Sequence, residues 1–381
     1  MVRLSFKVPI VEDTPRTLEV LSPCCKSGAT IHQRKERGLE DTRVGMVQVV
    51  RMKCKDCGRT FTIRPQGVGR SSKSLGVQGL AVILWLLGLS YDKVVAVFGA
   101  LRVLLAKGSA FNYVQRAGQR ALSLRRKAAS GGVRFVGMDT TVYKVKGKQM
   151  VAAYISDALQ GNSLSIEFLD KEDAEALKAC LRDALGGNNI EMLVSDDADG
   201  YKVVCEDLGI KHQTCIAHFK KAFKRRIGGI LKGLEQTHPK RNKIRKDAKL
   251  LLAHVKKREP LTVRLLTAAR KMFDEYLTAV PPRKGESASP EYRMRLLLTD
   301  IVEYGPDLFT YRPFRNKEGK YLLDGTNNVT ERAIGLDGKI RYRAMRGAKS
   351  KRSLRRVINL HAFIRSQRMA GTPPNITSLI A

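Results

Sequence analysis

Apolar residues recur at helical spacing over residues 75–129. Side chains such as Ile83 and Leu87 fall on one face of a period of about 3.6 residues. Stretches rich in Gly, Ser and basic residues interrupt the pattern on both sides, at 67–74 and 130–132. The pattern therefore predicts a separate helical module with short turns between its helices, which is typical of a helix-turn-helix.

After residue 132 the pattern changes to short apolar runs that alternate with amphipathic segments. The predicted elements, in chain order, are strands at 133–139, 150–156 and 163–169, a helix at 171–185, a strand at 190–195, a helix at 201–208 and a strand at 211–216. Acidic residues open the first of these helices and a Gly pair closes it. This order is that of an RNase H-like α/β core, in which the first three strands form an antiparallel meander.

A second helical region follows at 219–304, and it is strongly basic. Residues 220–258 contain fifteen Lys and Arg against two acids. A final helical segment begins near residue 327. We therefore expect a helical insertion at 219–320 to interrupt the α/β core, and residues 321–381 to complete it with a basic C-terminal segment.

Acidic residues stand at the ends of two predicted strands. Asp139 closes the first strand in GMDTT, and Asp196 closes the fourth in VSDDADGY. Neighbouring strand ends bring two carboxylates together, and such a pair is costly unless a divalent cation bridges it. A third acid, Glu331 in TNNVTERAIG, is expected on a helix packed over the sheet. Hard oxygen donors suit two Mg²⁺ or Mn²⁺ ions, which we predict at this site.

Other acids compete for these roles. Asp197 and Asp199 follow Asp196 closely, and we prefer Asp196 because it comes directly after the apolar strand. Asp157 ends the second predicted strand and is interpreted as a turn residue. Any one acid could be an ordinary strand-end or cap residue, so the prediction depends on the order of all three.

Four of the seven cysteines lie in the strand-like stretch before residue 67. The C-x-x-C-G run at 54–58 is typical of a zinc knuckle. In the partner half, Cys25 stands at the second ligand position but Ser22 stands at the first, which leaves the fourth ligand open between Cys24 and His32. The predicted ligands of one structural Zn²⁺ are Cys24, Cys25, Cys54 and Cys57.

Composition narrows the choice of partner. The chain has 381 residues with 70 Lys and Arg against 36 Asp and Glu, a formal charge of +34, and its 43% hydrophobic content excludes a disordered chain. The cationic excess predicts a polyanionic partner, most simply nucleic acid, and makes a small-molecule metabolic enzyme an unlikely class. The longest apolar run, 80–89, is too short to cross a bilayer, and the N-terminus lacks a signal-peptide core. We expect a cytoplasmic, nucleoid-associated protein with no membrane partner.

Two segments are predicted to contact DNA. The third helix of the helical module carries hydrogen-bonding side chains expected to reach base edges in a major groove, namely Asn112, Tyr113, Gln115, Arg116 and Gln119. An ordinary packing module is the alternative interpretation of this helix. The basic run at 332–356 is predicted to contact phosphates through Arg332, Arg341, Arg343 and Arg346.

The runs GMDTT, VSDDADGY, HQTCIAH and TNNVTERAIG together resemble the motifs of DDE-type insertion-sequence transposases, in the style of the families related to mutator-like elements. The resemblance covers residues 133–356. The front third of the chain resembles these transposases in the types of domain it contains. It implies that Asp139, Asp196 and Glu331 are the catalytic triad. It also implies a helical insertion between the second Asp and the Glu.

Two residue pairs are predicted to support this site. Cys215 and His218 form the C-x-x-H of these families, and we interpret them as a structural pair. A DNA contact by His218 and metal ligation are the alternatives, although two ligands cannot make a closed zinc site. Asn327 and Asn328 precede Glu331 and are expected to cap its helix.

The resemblance implies a multidomain DNA transposase. An N-terminal zinc ribbon at 1–66 and a helix-turn-helix at 75–129 would bind the transposon ends. The RNase H-like core at 133–218 and 321–381 would cleave the DNA and transfer its strand by a 3′-hydroxyl. The expected partners are double-stranded DNA, as terminal inverted repeats and target, and further copies of the chain in a homodimer or larger assembly. The alternatives are a catalytically silent domesticated transposase that regulates through DNA binding, and a metal-dependent nuclease without strand transfer.

Overall fold

A computed structural model describes residues 6–12, 19–128, 132–185, 189–196, 199–234, 239–256, 261–345 and 347–380. The chain divides into two compact units. The first comprises Met1–Ala128, Lys144–Gln149 and Gly335–Ala381, and the second comprises Ala129–Tyr143 and Met150–Ile334.

Helices are more extensive than strands in the described chain. The α-helices are α1 (Leu75–Leu86), α2 (Tyr91–Ala100), α3 (Lys107–Ala128), α4 (Ala174–Leu185), α5 (Asp199–Leu208), α6 (Ile216–Lys232), α7 (Arg241–Lys256), α8 (Leu261–Tyr276), α9 (Pro290–Tyr304), α10 (Asn328–Ala333), α11 (Ile340–Ala344), α12 (Lys351–Met369) and α13 (Thr377–Ile380). A 3₁₀ turn at Gly305–Phe309 follows α9, and a π-helical segment at Ile334–Lys339 joins α10 to α11. In the described parts of the chain, no helix is both long enough and apolar enough to cross a membrane.

The first unit begins with a small antiparallel sheet in the order β1-β2-β3. Its strands are β1 (Ala29–Gly38), β2 (Met46–Cys54) and β3 (Thr60–Ile63). Val47, Val50 and Met52 alternate with exposed residues along β2, so one face of this strand is shielded. Most of β1 is exposed. A sheet this small has few core residues with which to hold its own turns in place.

Five helices of the first unit share one apolar core. Helices α1, α2 and α3 pack with α12 and α13 around side chains such as Trp85 and Phe98. Helices α3 and α12 approach closely at Gly118, where a Cβ would overlap the carbonyl group of Arg356. The C-terminal helices are therefore built into the helical module that the sequence predicts at 75–129.

The second unit contains a five-stranded mixed sheet in the order β6-β5-β4-β7-β8. Its strands are β4 (Phe135–Val145), β5 (Lys148–Asp157), β6 (Ser163–Leu169), β7 (Met192–Ser195) and β8 (Lys211–Thr214). Strands β5 and β6 pair antiparallel, whereas β4, β7 and β8 are parallel neighbours. The sheet has the strands and connecting helices that the sequence predicts for the α/β core.

Both faces of the sheet are covered. Helices α4 and α5 pack on one face through residues such as Leu181 and Val204, while Phe135 and Met192 face a second cluster that includes Leu323. Every residue of β7 is buried, as expected for a central parallel strand. The strands therefore give a rigid platform to the side chains at their ends.

The chain between β8 and α10 is mainly helical, as the sequence predicts. Helices α6 to α9 and the 3₁₀ turn share one core, which includes Ile227, Leu265 and Leu298. This helical region returns the chain to the sheet at α10, the helix that carries Glu331.

Candidate functional site

The parallel register of β4 and β7 brings two predicted acids level with each other. Gly137 pairs with Val194, and Asp139 and Asp196 each lie two residues further along. Because β4 continues to Val145 while β7 stops at Ser195, Asp139 lies within its strand. The prediction that Asp139 closes the strand is therefore corrected, but both acids still follow the last paired residues.

Glu331 reaches the same region because α10 packs directly against β4. A Cβ on Gly137 would overlap the hydroxyl oxygen of Thr330 and lie 2.6 Å from Asn327 Oδ1. The Thr330 hydroxyl also lies 2.6 Å from Ser156 Oγ, and both side chains are fully buried. A glycine at 137 thus permits the close approach that places Glu331 over the sheet.

Asn327 ties three segments of the site together. Its Nδ2 donates to the carbonyl oxygen of Met138 at 2.8 Å, and its backbone N–H donates to Cys215 Sγ at 3.2 Å. Asn327 occupies the N-cap position of α10, but its side chain makes no capping hydrogen bond. The predicted capping role is therefore replaced by a bridge to β4, whereas Asn328 is exposed.

The pKa of Asp139 depends on the charges of the other two acids. The pKa of Asp139 is raised to about 6. Burial is the largest cause, and the negative charges of Asp196 and Glu331 contribute to the same rise. The Thr140 N–H, which donates to Asp139 Oδ1 at 2.8 Å, and the nearby His218 act in the opposite direction. Neighbouring like charges favour a bound cation.

Cys215 and His218 border this acidic site on the first turn of α6. The Nε2 atom of His218 lies 3.6 Å from Glu331 Oε1. One ligand atom each of Cys215, His218 and Glu331 lie within 4.8 Å of one another. Cys215 is fully buried, while the side chain of His218 is 35% exposed.

Three residues that the sequence analysis did not select also adjoin the acids. The Thr140 hydroxyl donates to Glu172 Oε1 at 2.6 Å. Tyr201 is buried, and its pKa is raised by that burial and then by the charges of Asp196 and Asp139. The position of Thr140 directly after Asp139 was an available signal, whereas nothing in the sequence pointed to Glu172.

The four predicted zinc ligands in the first unit do come together. Their Sγ atoms lie within 4.8 Å of one another, and the Cys24 and Cys57 Sγ atoms are 3.4 Å apart. Tetrahedral zinc with bonds of about 2.3 Å needs sulfur separations of about 3.8 Å, so this donor set fits Zn²⁺. His32 is exposed on β1 and does not belong to the described cluster, which favours Cys24 for the fourth position.

Two similar turns present these sulfurs. The backbone N–H of Gly58 donates to the Cys54 carbonyl at 3.1 Å, and the N–H of Lys26 donates to the Ser22 carbonyl at 3.0 Å. Lys26 and Gly58 both have positive φ angles, of 58° and 70°. Ser22 therefore occupies the position that corresponds to Cys54, and Cys24 adds the sulfur that Ser22 lacks.

Ser22 also contacts the cluster directly. Its Oγ lies 3.2 Å from Cys54 Sγ, and Ser27 Oγ lies at the same distance from that sulfur. Hydrogen bonds with Ser22 and then Ser27 lower the pKa of Cys54 to about 5. These hydroxyls therefore favour the thiolate form, which is the form that binds metal.

Three side chains expected to contact DNA are buried. Tyr113 and Gln115 are each 5% exposed, and Arg341 is 6% exposed. Tyr113 belongs to the helical core of the first unit. The guanidinium of Arg341 stacks 4.1 Å from the Trp85 ring centroid and donates to the Leu89 carbonyl at 2.9 Å. The expectation for these three is corrected, since their side chains are buried within the protein.

Asn112, Arg116 and Gln119 are exposed on α3. Arg116 donates to Gln78 Oε1 at 3.2 Å, and Gln119 Oε1 accepts from Arg356 Nε at 3.0 Å. These three keep the exposure that a DNA contact needs, and two of them are oriented by neighbours.

The remaining predicted phosphate contacts follow Glu331. Arg332 and Arg343 are exposed. Arg346 lies outside the described residues. Arg332 and Arg343 therefore keep the exposure that a phosphate contact needs.

Comparison with known proteins gives structural neighbours only. No protein-family model and no curated protein matches the chain. The catalytic core domain of BIV integrase is 12% identical, with a TM-score of 0.19, over 54% of this chain and 97% of that chain. The HTLV-2 integrase catalytic core domain in complex with magnesium, in its dimeric form, is 18% identical, with a TM-score of 0.20, over 31% and 82%. The Drosophila P element transposase strand transfer complex is 12% identical, with a TM-score of 0.26, over 80% and 82%.

Proposed function

We propose that this protein is a DNA transposase that cleaves phosphodiester bonds and transfers DNA strands at a site formed by Asp139, Asp196 and Glu331. The proposal is supported by the β4–β7 register, which sets Asp139 level with Asp196, and by the packing of α10, which carries Glu331, against β4 at Gly137. The charges of Asp196 and Glu331 both raise the pKa of Asp139, which also supports the proposal. The large positive charge of the chain supports a polyanionic substrate.

The donor set fits Mg²⁺ or Mn²⁺, with Asp139, Asp196 and Glu331 as ligands. Carboxylate oxygens are the donors these hard cations prefer, and the partly exposed Glu331 leaves room for water and substrate oxygens. A bound pair of such ions would activate a water or 3′-hydroxyl and stabilise the leaving oxygen of the phosphodiester.

The protein's own contribution is to hold the carboxylates in place. The Thr140 N–H fixes one oxygen of Asp139, and Asn327 ties the base of α10 to the backbone next to Asp139. His218 lies beside Glu331 and moderates the negative charge when it is protonated. In-line displacement by water or a 3′-hydroxyl needs no covalent enzyme intermediate, so no nucleophilic Ser or Tyr is assigned.

The first unit is proposed to bind DNA. Asn112, Arg116 and Gln119 are exposed on α3, and Arg343 is exposed in the part of the basic run that belongs to this unit. Arg332 is also exposed, but it belongs to the second unit, and we propose that it contacts phosphate there. Phosphate contacts by such residues make binding strongly salt-dependent. The four-cysteine cluster is proposed to hold a structural Zn²⁺. Because two transposon ends must be joined, we propose a dimer or larger assembly.

The test uses the full chain and a duplex carrying the DNA that flanks its reading frame on both sides. We expect cleavage and joined products that require Mg²⁺ or Mn²⁺, and loss of both in Asp139→Asn while DNA binding remains. The matched control is Glu206→Gln, which removes an exposed acid of α5 and keeps activity.

The other outcomes separate the alternatives. Cleavage without joined products would indicate a metal-dependent nuclease. Salt-sensitive binding with no cleavage under any divalent cation would indicate a DNA-binding regulator with a silent core. Cleavage that survives Asp139→Asn, Asp196→Asn and Glu331→Gln would exclude the proposed site.

A further inference from the structure

Cys215, His218 and Glu331 form a second possible arrangement of metal ligands beside the three acids. Their ligand atoms lie within 4.8 Å of one another, although they come from the first turn of α6 and from α10. Glu331 belongs to this group and to the acidic site. The two groups differ in chemistry, because one consists of carboxylates and the other contains a thiol and an imidazole.

We propose that Cys215, His218 and Glu331 bind a borderline transition metal such as Zn²⁺, and that this metal withdraws Glu331 from the magnesium site. Metal binding by the three residues stands on their own geometry. The inhibition that follows from it rests on the proposed function, because only a Mg²⁺-dependent nuclease or transposase would be inhibited in this way.

Ligand chemistry selects the metal. Thiolate and imidazole favour Zn²⁺ over Mg²⁺, and three protein ligands plus water make an open four-coordinate zinc site. Tetrahedral ligands of zinc lie about 3.3 to 3.8 Å apart, so atoms now within 4.8 Å need to close by about 1.5 Å or less. The exposed fraction of the His218 side chain, 35%, provides access for the metal and for a water ligand.

The imidazole of His218 is available for this role. Its Nδ1 atom is buried without a hydrogen-bond partner in the described structure. Its Nε2 atom lies 3.6 Å from Glu331 Oε1, which is beyond hydrogen-bond distance. Buried polar atoms are seldom left without a partner. A metal ion bound by the His218 imidazole would explain why this ring makes no hydrogen bond in the described structure.

The backbone already fixes the sulfur and the carboxylate segment relative to each other. The Asn327 N–H donates to Cys215 Sγ at 3.2 Å, at the start of the helix that carries Glu331. Cys215 is the N-cap residue of α6 and His218 lies in the first turn of that helix, so both side chains come from the same end of α6. Burial raises the pKa of Cys215, so the thiol keeps its proton until a metal displaces it.

Cobalt(II) tests the binding without any measurement of activity. It is titrated into the full chain after the four-cysteine cluster has been filled with zinc. We expect one additional cobalt ion per chain, with the visible absorption of a four-coordinate site and a thiolate-to-cobalt charge-transfer band. Cys215→Ser preserves an acceptor for the Asn327 N–H, and we expect it to abolish that band and weaken binding by about 100-fold or more.

The control for this titration is Cys180→Ser, which removes a buried cysteine of α4 outside both clusters. It should retain the band. Absence of the band in the wild type, or its persistence in Cys215→Ser, would overturn the proposal. Binding that is unchanged in Glu331→Gln would overturn the shared use of this carboxylate.

Zinc inhibition is measured separately, as the Mg²⁺-dependent cleavage rate with zinc divided by the rate of the same variant without zinc. We expect this ratio to fall in the wild type and in Cys180→Ser, and to stay near one for any residual activity of Cys215→Ser. A cobalt site in a chain that cleaves no DNA would exclude the proposed function and leave the binding site intact. Equal zinc sensitivity in all variants would overturn the inhibitory role.

Discussion

The four-cysteine cluster and the three-acid site each gather ligands from distant parts of the sequence, but the protein supports them differently. The cysteines lie on two tight turns beside a small sheet whose first strand is largely exposed. The acids lie within β4, directly after β7 and on a helix packed against a sheet that is covered on both faces. We therefore expect the first group to depend on a metal for structure, and the second group to be positioned by the packing of the sheet and of α10.

The two sites also differ in how their surroundings affect the ionised form of a ligand. Hydrogen bonds from Ser22 and Ser27 favour the thiolate of Cys54. At the acidic site, burial and like charge disfavour the ionised form of Asp139. The fold thus keeps the acids together against their own repulsion, and a bound cation would relieve that repulsion.

Zinc removal should have the largest effect, and it should be confined to one part of the first unit. A chelator, or Cys54→Ser, should unfold the sheet β1-β2-β3, because structural zinc contributes about 10 kcal/mol to small zinc domains. Trp85 is the only tryptophan of the chain and is buried in the helical core. Amide signals of the sheet should disappear on chelation while Trp85 fluorescence is unchanged; a folded sheet without zinc would contradict the comparison.

In the acidic site, the corresponding test adds a methyl group at the closest contact between β4 and α10. Gly137→Ala places a Cβ against Thr330 and Asn327, and overpacking of this kind costs about 1 to 3 kcal/mol. We expect lower stability in chemical denaturation and loss of cleavage, because α10 is displaced with Glu331. Gly228→Ala is the control, since a Cβ there meets no atom within 4 Å among the described residues; equal effects of both variants would contradict this account.

Removal of the charge at Asp139 should stabilise the metal-free protein. Because its pKa is raised from 3.8 to about 6, Asp139 favours folding while it is protonated, and this contribution is lost as pH rises through about 6. At pH 7 we expect Asp139→Asn to raise the free energy of unfolding by about 1 to 3 kcal/mol. Urea titrations at pH 4 and pH 7 check this, and Mg²⁺ should stabilise only the wild type.

Glu206→Gln, an exposed acid of the same unit, is the control for the Asp139 measurement. It should change neither the stability at pH 7 nor the effect of Mg²⁺. If Asp139→Asn were less stable than the wild type at pH 7, the inferred repulsion among the acids would be wrong.

A smaller pH effect should come from the helical core of the first unit. Burial lowers the pKa of His361 to about 4, and the ring centroid lies 5.8 Å from that of Trp85. A lowered pKa means that stability is present above about pH 6.5 and is lost as pH falls toward 4. We expect the free energy of unfolding to fall by about 1 to 2 kcal/mol at pH 5. Urea titrations monitored by Trp85 fluorescence check this.

The variant His361→Phe should make the stability of this core less dependent on pH. His32→Asn, which changes an exposed residue of β1, should leave the dependence as in the wild type. An unchanged pH profile in His361→Phe would assign the effect to other groups.

The sequence was informative wherever a short motif carries its own chemistry. The order of strands and helices along the chain in the second unit could be predicted from apolar runs and turns. The C-x-x-C-G run indicated the cysteine cluster. The buried state of Tyr113, Gln115 and Arg341 was missed, because an amphipathic helix shows that it has a buried face but not where that face ends once other helices pack on it. The last helices could not be assigned to the first unit for the same reason.

The sequence by itself determined which ligand atoms the protein can offer, because Asp, Glu, Cys and His carry that chemistry in any fold. It also determined the order of the elements, since hydrophobic periodicity is a local property. Only the tertiary structure decided that Gly137 lets α10 approach β4, that Ser22 takes the position of a cysteine, and that Glu331 lies beside His218 and raises the pKa of Asp139. These are contacts between distant segments, and they depend on packing that no local pattern records.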